Sequence, residues 1–243
     1  MQNQMIFPIH AVPNIKHLDP PEDIEQRFLD TASGARVEYW FFQAPEIQNK
    51  PTIVYFHGNA ETIDFAYLQT EALRREGYPM IFPEYRGYGR SSGKPSQEDI
   101  TKDVSDILAV LEKEGLIKRD QLIFMGNSLG GGFAFDLARQ IYPRAILVRS
   151  TFYSVVDMAK GYFAPSFLVK NPFRSYEVAS SFDGPVFIAH GRRDRIIPFD
   201  HGQRLHEAAK NSVFYPVTAG HNDFPLNRPY WQAVKGFLEE HRL

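Results

Sequence analysis

There is no cysteine among the 243 residues, so disulfides, thiolate metal sites and a cysteine nucleophile are ruled out together. Such a chain suits a reducing compartment, and a cytoplasmic location is the expectation. Neither sign of charge is in excess: 27 Lys and Arg stand against 29 Asp and Glu, scattered along the chain, for a formal net charge of -2. A nucleic-acid groove needs a concentrated basic face, and an anionic bilayer a polybasic cluster, so neither partner is expected. No stretch approaches the roughly 18 apolar residues of a membrane-spanning helix. Met1 to Pro21 carries no charged segment followed by an apolar run and a small-residue cleavage site. No membrane anchor is therefore expected in this chain. Metal-ligand clusters, a P-loop and a dinucleotide fingerprint are also missing, and Gly87-Tyr88-Gly89 lacks the spacing of a phosphate-binding turn. Neither a metal nor a cofactor is expected.

What the chain does have is apolar material, 43% hydrophobic and 14% aromatic residues, enough to bury a sizeable core. From Ala35 to Gln43 onward, short apolar runs recur at Thr52 to Phe56, Met80 to Pro83, Leu122 to Met125, Ala145 to Val148, Val186 to Ala189 and Val213 to Val217. They are rich in Val, Ile and Phe and largely without polar alternation, as strands covered on both faces should be. Helical patterns lie between them: Thr62 to Glu76, Gln97 to Glu114, Gly130 to Gln140, His201 to Ala209 and Tyr230 to Glu240. Gly77 and Gly115 punctuate the first two, and Ser96 with Asp99 resembles a capping box. The alternation predicts an α/β fold with a mostly parallel, doubly wound sheet. No repeat or linker interrupts it, and one domain over 1–243 is expected. Thr151 to Phe182 breaks the rhythm with eight aromatics and two prolines. The segment reads as a small helical cap insert, about 151–182, over the site.

Gly126-Asn127-Ser128-Leu129-Gly130 lies between an apolar strand and a helical pattern. A turn that sharp holds its central serine in a strained backbone conformation, and the glycines on either side remove the β-carbons that would clash. Ser128 is the candidate nucleophile. A serine hydroxyl needs an adjacent base, and His221, in the loop after the last strand, is the histidine placed to reach it. His201 and His206 fall on a helix, His10, His17 and His241 near the ends, and His57 and His190 read as structural. The base in turn needs a carboxylate. Asp194, after the strand Val186 to Ala189, completes the order Ser, Asp, His that a sheet of this kind uses. Asp223 is a rival acid but reads as a loop-shaping residue. Oxyanion donors are expected from the backbone N–H of Leu129 and, after the third strand, of Asn59, with Ala60 as the alternative.

The five segments HGNA (His57 to Ala60), YRGYGRSSGKPS (Tyr85 to Ser96), GNSLGG (Gly126 to Gly131), HGRRDRIIP (His190 to Pro198) and GHND (Gly220 to Asp223) occur in that order. Together they resemble one branch of the alpha/beta-hydrolase superfamily, and the likeness runs from about Phe28 to the end. That branch holds small-capped esterases, lysophospholipase-like proteins and membrane-anchored protein depalmitoylases. The resemblance implies nucleophile, acid and base at Ser128, Asp194 and His221, with oxyanion donors at Asn59 and Leu129. Many members carry an N-terminal anchor, whereas here the chain begins almost directly at Ile6-Phe7-Pro8, which weakens the membrane-tethered reading.

The expected activity is therefore hydrolysis of a small-molecule ester or thioester through an acyl-Ser128 intermediate, with short-to-medium acyl chains preferred. The alternatives are a long-chain acyl-protein thioesterase or lysophospholipase and, from another class, a non-catalytic lipid-binding module using the aromatic insert. Oligomeric state is not legible in the sequence.

Overall fold

A computed structural model describes residues 6–8, 19–44, 50–160 and 169–243. Eight strands form one sheet: β1 (Ile24–Asp30), β2 (Arg36–Phe42), β3 (Thr52–Phe56), β4 (Met80–Pro83), β5 (Leu122–Asn127), β6 (Ala145–Arg149), β7 (Val186–Gly191) and β8 (Ser212–Val217). Their order across the sheet is β1-β2-β4-β3-β5-β6-β7-β8. β2 runs antiparallel to both β1 and β4, and every other pairing is parallel. The mostly parallel, doubly wound sheet expected from the alternation is present.

Strand side chains alternate between two apolar layers. Val54, Phe56, Phe124, Ile146 and Val148 face one layer, and Ile53, Tyr55, Ile123, Met125 and Leu147 face the other. The first layer is closed by α3 (Gln97–Lys113), which buries Ile100, Val104, Ile107, Leu108 and Leu111. The second is closed by α8 (Arg228–Glu240) through Tyr230, Val234, Phe237 and Leu238. Both sets follow helical spacing and give one apolar stripe each. Full burial of such a side chain stabilises by about 1.5–3 kcal/mol, so packing outweighs propensity in fixing these helices. Ser96 caps α3 by accepting the Asp99 N–H at 3.0 Å, and its hydroxyl donates to Asp99 Oδ2 at 2.6 Å. The acidic partner thus returns to the hydroxyl of the cap.

Two details differ from the sequence expectation. β1 was not anticipated: it is an edge strand with no fully buried residue, so its composition carries no core pattern. The helix expected over Thr62 to Glu76 is two, α1 (Ile63–Gln69) and α2 (Glu71–Arg75). At the break, Thr70 Oγ1 donates to the carbonyls of Ala66 and Tyr67 at 3.0 and 3.2 Å, a side-chain competition with the helix ladder.

The described part of the insert holds α5 (Val155–Lys160) and α6 (Ser175–Ser181). Phe152, Phe173 and Phe182 belong to the core layer of α3, and Phe173 packs edge-on against Phe133 at 4.9 Å. Tyr153 and Tyr176 stack on each other at 4.6 Å. Tyr162, Phe163 and Phe167 lie outside the described residues. Among the described residues the remaining α-helices are α4 (Leu129–Leu137), directly after β5, and α7 (Phe199–Ala208), after β7.

Strand order reverses at β3, whose sequence successor β4 lies on one side while β5 lies on the other. Sheets of this type bind ligands in the crevice at the carboxyl ends of strands around such a reversal. The loop beginning His57-Gly58-Asn59 follows β3, and the Ser128 turn follows β5.

Candidate active site

Ser128 sits between β5 and α4 with φ 52° and ψ -114°, a region that L-residues avoid and that costs on the order of 1–3 kcal/mol. The neighbours enforce it. A β-carbon on Gly126 would overlap the Gly130 carbonyl, so the chain can double back only where that atom is absent. Thr151 Oγ1 donates to the Ser128 carbonyl at 2.8 Å and the Ser128 N–H donates to Arg149 O at 2.8 Å. Both backbone polar groups of the strained residue are thereby satisfied.

The structure brings Ser128, His221 and Asp194 together. His221 Nε2 lies 2.9 Å from Ser128 Oγ, and His221 Nδ1 lies 2.7 Å from Asp194 Oδ2. Asp194 is buried, and burial alone would raise its pKa. Hydrogen bonds from His190 and His221 and from the Ile197 N–H outweigh this and hold it well below the usual carboxylate range. Oδ1 accepts the N–H groups of Ile196 and Ile197 at 2.9 and 2.8 Å. An ionised carboxylate can only accept, so the proton shared with His221 is on Nδ1. In the neutral ring, the lone pair of Nε2 then faces the serine hydroxyl. Ser128, with 7% of its surface exposed, is screened from bulk water while keeping one open side.

The other candidates sort as follows. Asp223 accepts the Gly220 N–H at 2.6 Å and closes the loop that carries His221. His190 is buried, with Nε2 2.9 Å from Ile197 O and 3.4 Å from Asp194 Oδ2. It braces the segment that holds the acid. His57 is buried against Glu84, His201 accepts the Tyr153 N–H at 3.1 Å, and His206 stacks on Phe214. His241 packs edge-on against Phe237, and His10 and His17 lie outside the described residues. Leu129 is the first residue of α4, where N–H groups have no acceptor within the helix. Asn59 follows Gly58 in the β3 loop, and its Oδ1 accepts from the Tyr88 hydroxyl at 3.3 Å. Phe56 and Gly126 are register partners, so the loops bearing both expected donors leave from adjacent strands.

Sequence reading passed over a polar chain between those loops. Asn127 Nδ2 donates to Glu61 at 3.0 and 3.2 Å, and its Oδ1 accepts from Arg149 Nε at 3.0 Å. Glu61 Oε2 also accepts the Gly58 N–H at 2.6 Å, and Arg149 reaches Gln69 at 2.9 Å. The signal available was the polar residue inside G-x-S-x-G at a position flanked by core. Among the described residues, no group of three or more His, Asp or Glu could hold a metal ion.

A family model described as "Serine aminopeptidase, S33" (Hydrolase_4) matches residues 47–171, just over half of the chain. The chain belongs to this alpha/beta-hydrolase family. Alpha/beta hydrolase domain-containing protein 17B of Xenopus tropicalis is 28% identical over 222 residues, covering 89% of this chain and 76% of that relative. An uncharacterized membrane protein of Saccharomyces cerevisiae is 25% identical over 260 residues, covering 98% and 89%. The Pyrococcus furiosus esterase Pf2001 superposes with a TM-score of 0.75 at 21% identity, covering 94% of this chain and 98% of that one. This likeness shows the alpha/beta-hydrolase fold, and with the family it makes the chain a hydrolase. Among the described residues, no helix is long and apolar enough to cross a membrane.

Proposed function

We propose that this hydrolase cleaves carboxylic esters or thioesters through an acyl-Ser128 intermediate. The single observation that carries the reading is His221, which stands between Ser128 Oγ and Asp194 Oδ2 at 2.9 and 2.7 Å. The hydroxyl attacks the acyl carbonyl while its proton passes to His221 Nε2. Asp194 stabilises the resulting imidazolium without taking the proton. The N–H groups of Leu129 and Asn59 donate to the oxyanion, and two such donors together are worth several kcal/mol. His221 then protonates the departing alcohol or thiol. It next takes a proton from the water that attacks the acyl group, returning the serine.

Short-to-medium acyl chains fit best. Phe152, Phe173 and Phe182 of the insert are committed to the core, which leaves less apolar surface for an acyl tunnel. Each buried methylene adds about 0.8 kcal/mol, so kcat/KM should climb with chain length to roughly four to eight carbons and then fall. A series of p-nitrophenyl esters, with fluorophosphonate labelling of the wild type and Ser128→Ala, tests both points. Ser128→Ala should fold, resist the label and lose several orders of magnitude in kcat. Turnover by pure Ser128→Ala sinks the acyl-serine reading, and a tenfold preference for sixteen carbons sinks the short-chain one.

A further inference from the structure

His57 and Glu84, both side chains fully buried, stand directly behind the loop that carries Asn59. Both ring nitrogens of His57 face oxygens: Nδ1 lies 2.9 Å from Gly58 O, and Nε2 lies 2.8 Å from Glu84 Oε1. A neutral imidazole has one N–H and would set a lone pair against one of those oxygens. The Glu84 carboxylate also accepts the Tyr85 N–H on Oε1 at 3.1 Å and the Ile63 N–H on Oε2 at 3.2 Å. An imidazolium, with an N–H on each ring nitrogen, would satisfy both ring contacts.

Its surroundings agree. Burial alone would lower the pKa of His57, but the charge and hydrogen bond of Glu84, the bond to Gly58 and the more distant charge of Glu61 raise it. The Tyr85 ring stacks on the imidazole at 3.8 Å, a face suited to a cation, and the Tyr88 ring stands at 5.8 Å. The Tyr85 hydroxyl donates to His57 O at 2.8 Å, so one side chain clamps both the ring and its backbone.

The consequence lies in the next peptide unit. Gly58 C=O and Asn59 N–H belong to the same planar group, and among the described residues no peptide bond is cis. In a trans peptide the N–H points away from the C=O. We propose that His57 is a positioning residue for the oxyanion donor: as an imidazolium held by Glu84, it grips the Gly58 carbonyl and turns the Asn59 N–H toward the reacting carbonyl. A charge-assisted bond is about twice as strong as a neutral one, and it polarises the peptide so that its N–H donates better. Because Glu84 balances the charge within the fold, the device avoids a lone buried cation. The inference rests on the acyl-serine reading above.

Two measurements test it on the full chain. Nitrogen-15 NMR of wild-type protein at about pH 7.5, where a free imidazole is mostly neutral, reads the ring directly. His57 is assigned through its contacts with the Tyr85 ring. Two protonated ring nitrogens are expected, and a single N–H overturns the proposal. In kinetics on a p-nitrophenyl ester, His57→Ala and Glu84→Gln should lower kcat by about 10- to 1000-fold, up to the loss of one oxyanion donor, with KM within about threefold. Folded variants with wild-type kcat also overturn it, while leaving the acyl-serine reading intact. If the wild type turns over no ester, that reading fails, and the NMR result still decides the state of the ring.

Discussion

A β-carbon on Gly130 would fall on the carbonyl oxygen of Phe56. The first turn of α4 therefore lies directly against the end of β3, and this contact sets how far the Ser128 turn stands from the Asn59 loop. Gly130→Ala should gain about 1 kcal/mol in helix propensity and lose more to the overlap. The obstacle is backbone, which cannot rotate away as a side chain can. A net destabilisation of about 2 kcal/mol should lower Tm by roughly 4–8 °C, readable by calorimetry. An unchanged Tm would show that α4 can slide off β3.

The two acids near His221 make a paired test. Asp194→Asn can leave the histidine in the wrong tautomer and should lower kcat by about 10³- to 10⁴-fold. Asp223→Asn loses only the charge that closes the loop at Gly220, with an expected cost under about tenfold. Steady-state kinetics on any ester that the wild type cleaves will rank them. The opposite ranking would move the acid to Asp223.

Asp194 should also leave a mark on stability against pH. Its folded pKa is depressed by His190, His221 and the Ile197 N–H, whereas an unfolded Asp titrates near 3.9. A depressed carboxyl stabilises the fold fully above the unfolded value and loses that contribution as pH falls toward the folded one. Thermal melts of wild type and Asp194→Asn should therefore differ most at pH above about 5, and the gap should shrink progressively as pH falls below about 4 toward the much lower folded value. A gap independent of pH would mean that the carboxylate contributes no charge-dependent stability.

Asn127 ties the Glu61 side of the site to the Arg149 side. Asn127→Ala leaves the buried guanidinium without its Nε acceptor and Glu61 with the Gly58 N–H but without the Asn127 amide. A loss of about 2–3 kcal/mol is expected, seen as a lower urea midpoint with unchanged slope. The rate should fall as well, because Glu61 also holds the Gly58 N–H. A shift under about 0.5 kcal/mol would make the chain of contacts incidental.

Glycines at 126 and 130 around Ser128, and the chain order of Ser128, Asp194 and His221, were legible because each follows from local turn chemistry and strand-helix alternation. The edge strand β1 was not, because its residues are half exposed and its partner pattern appears only once β2 lies beside it. The break at Thr70 depends on where one hydroxyl turns. The pairing of His57 with Glu84 spans 27 residues, and no spacing rule links them. It follows only from β3 and β4 lying side by side, which brings their ends together.

The backbone at Ser128, held at φ 52° and ψ -114°, is one that only glycine adopts without strain. Replacing the serine by glycine would relieve the turn and give a sturdier protein with no hydroxyl. Heat-resistant variants picked from random libraries without any assay of turnover should accordingly accumulate glycine at this position. On the acyl-serine chemistry proposed above, durability and reactivity pull in opposite directions at this one residue.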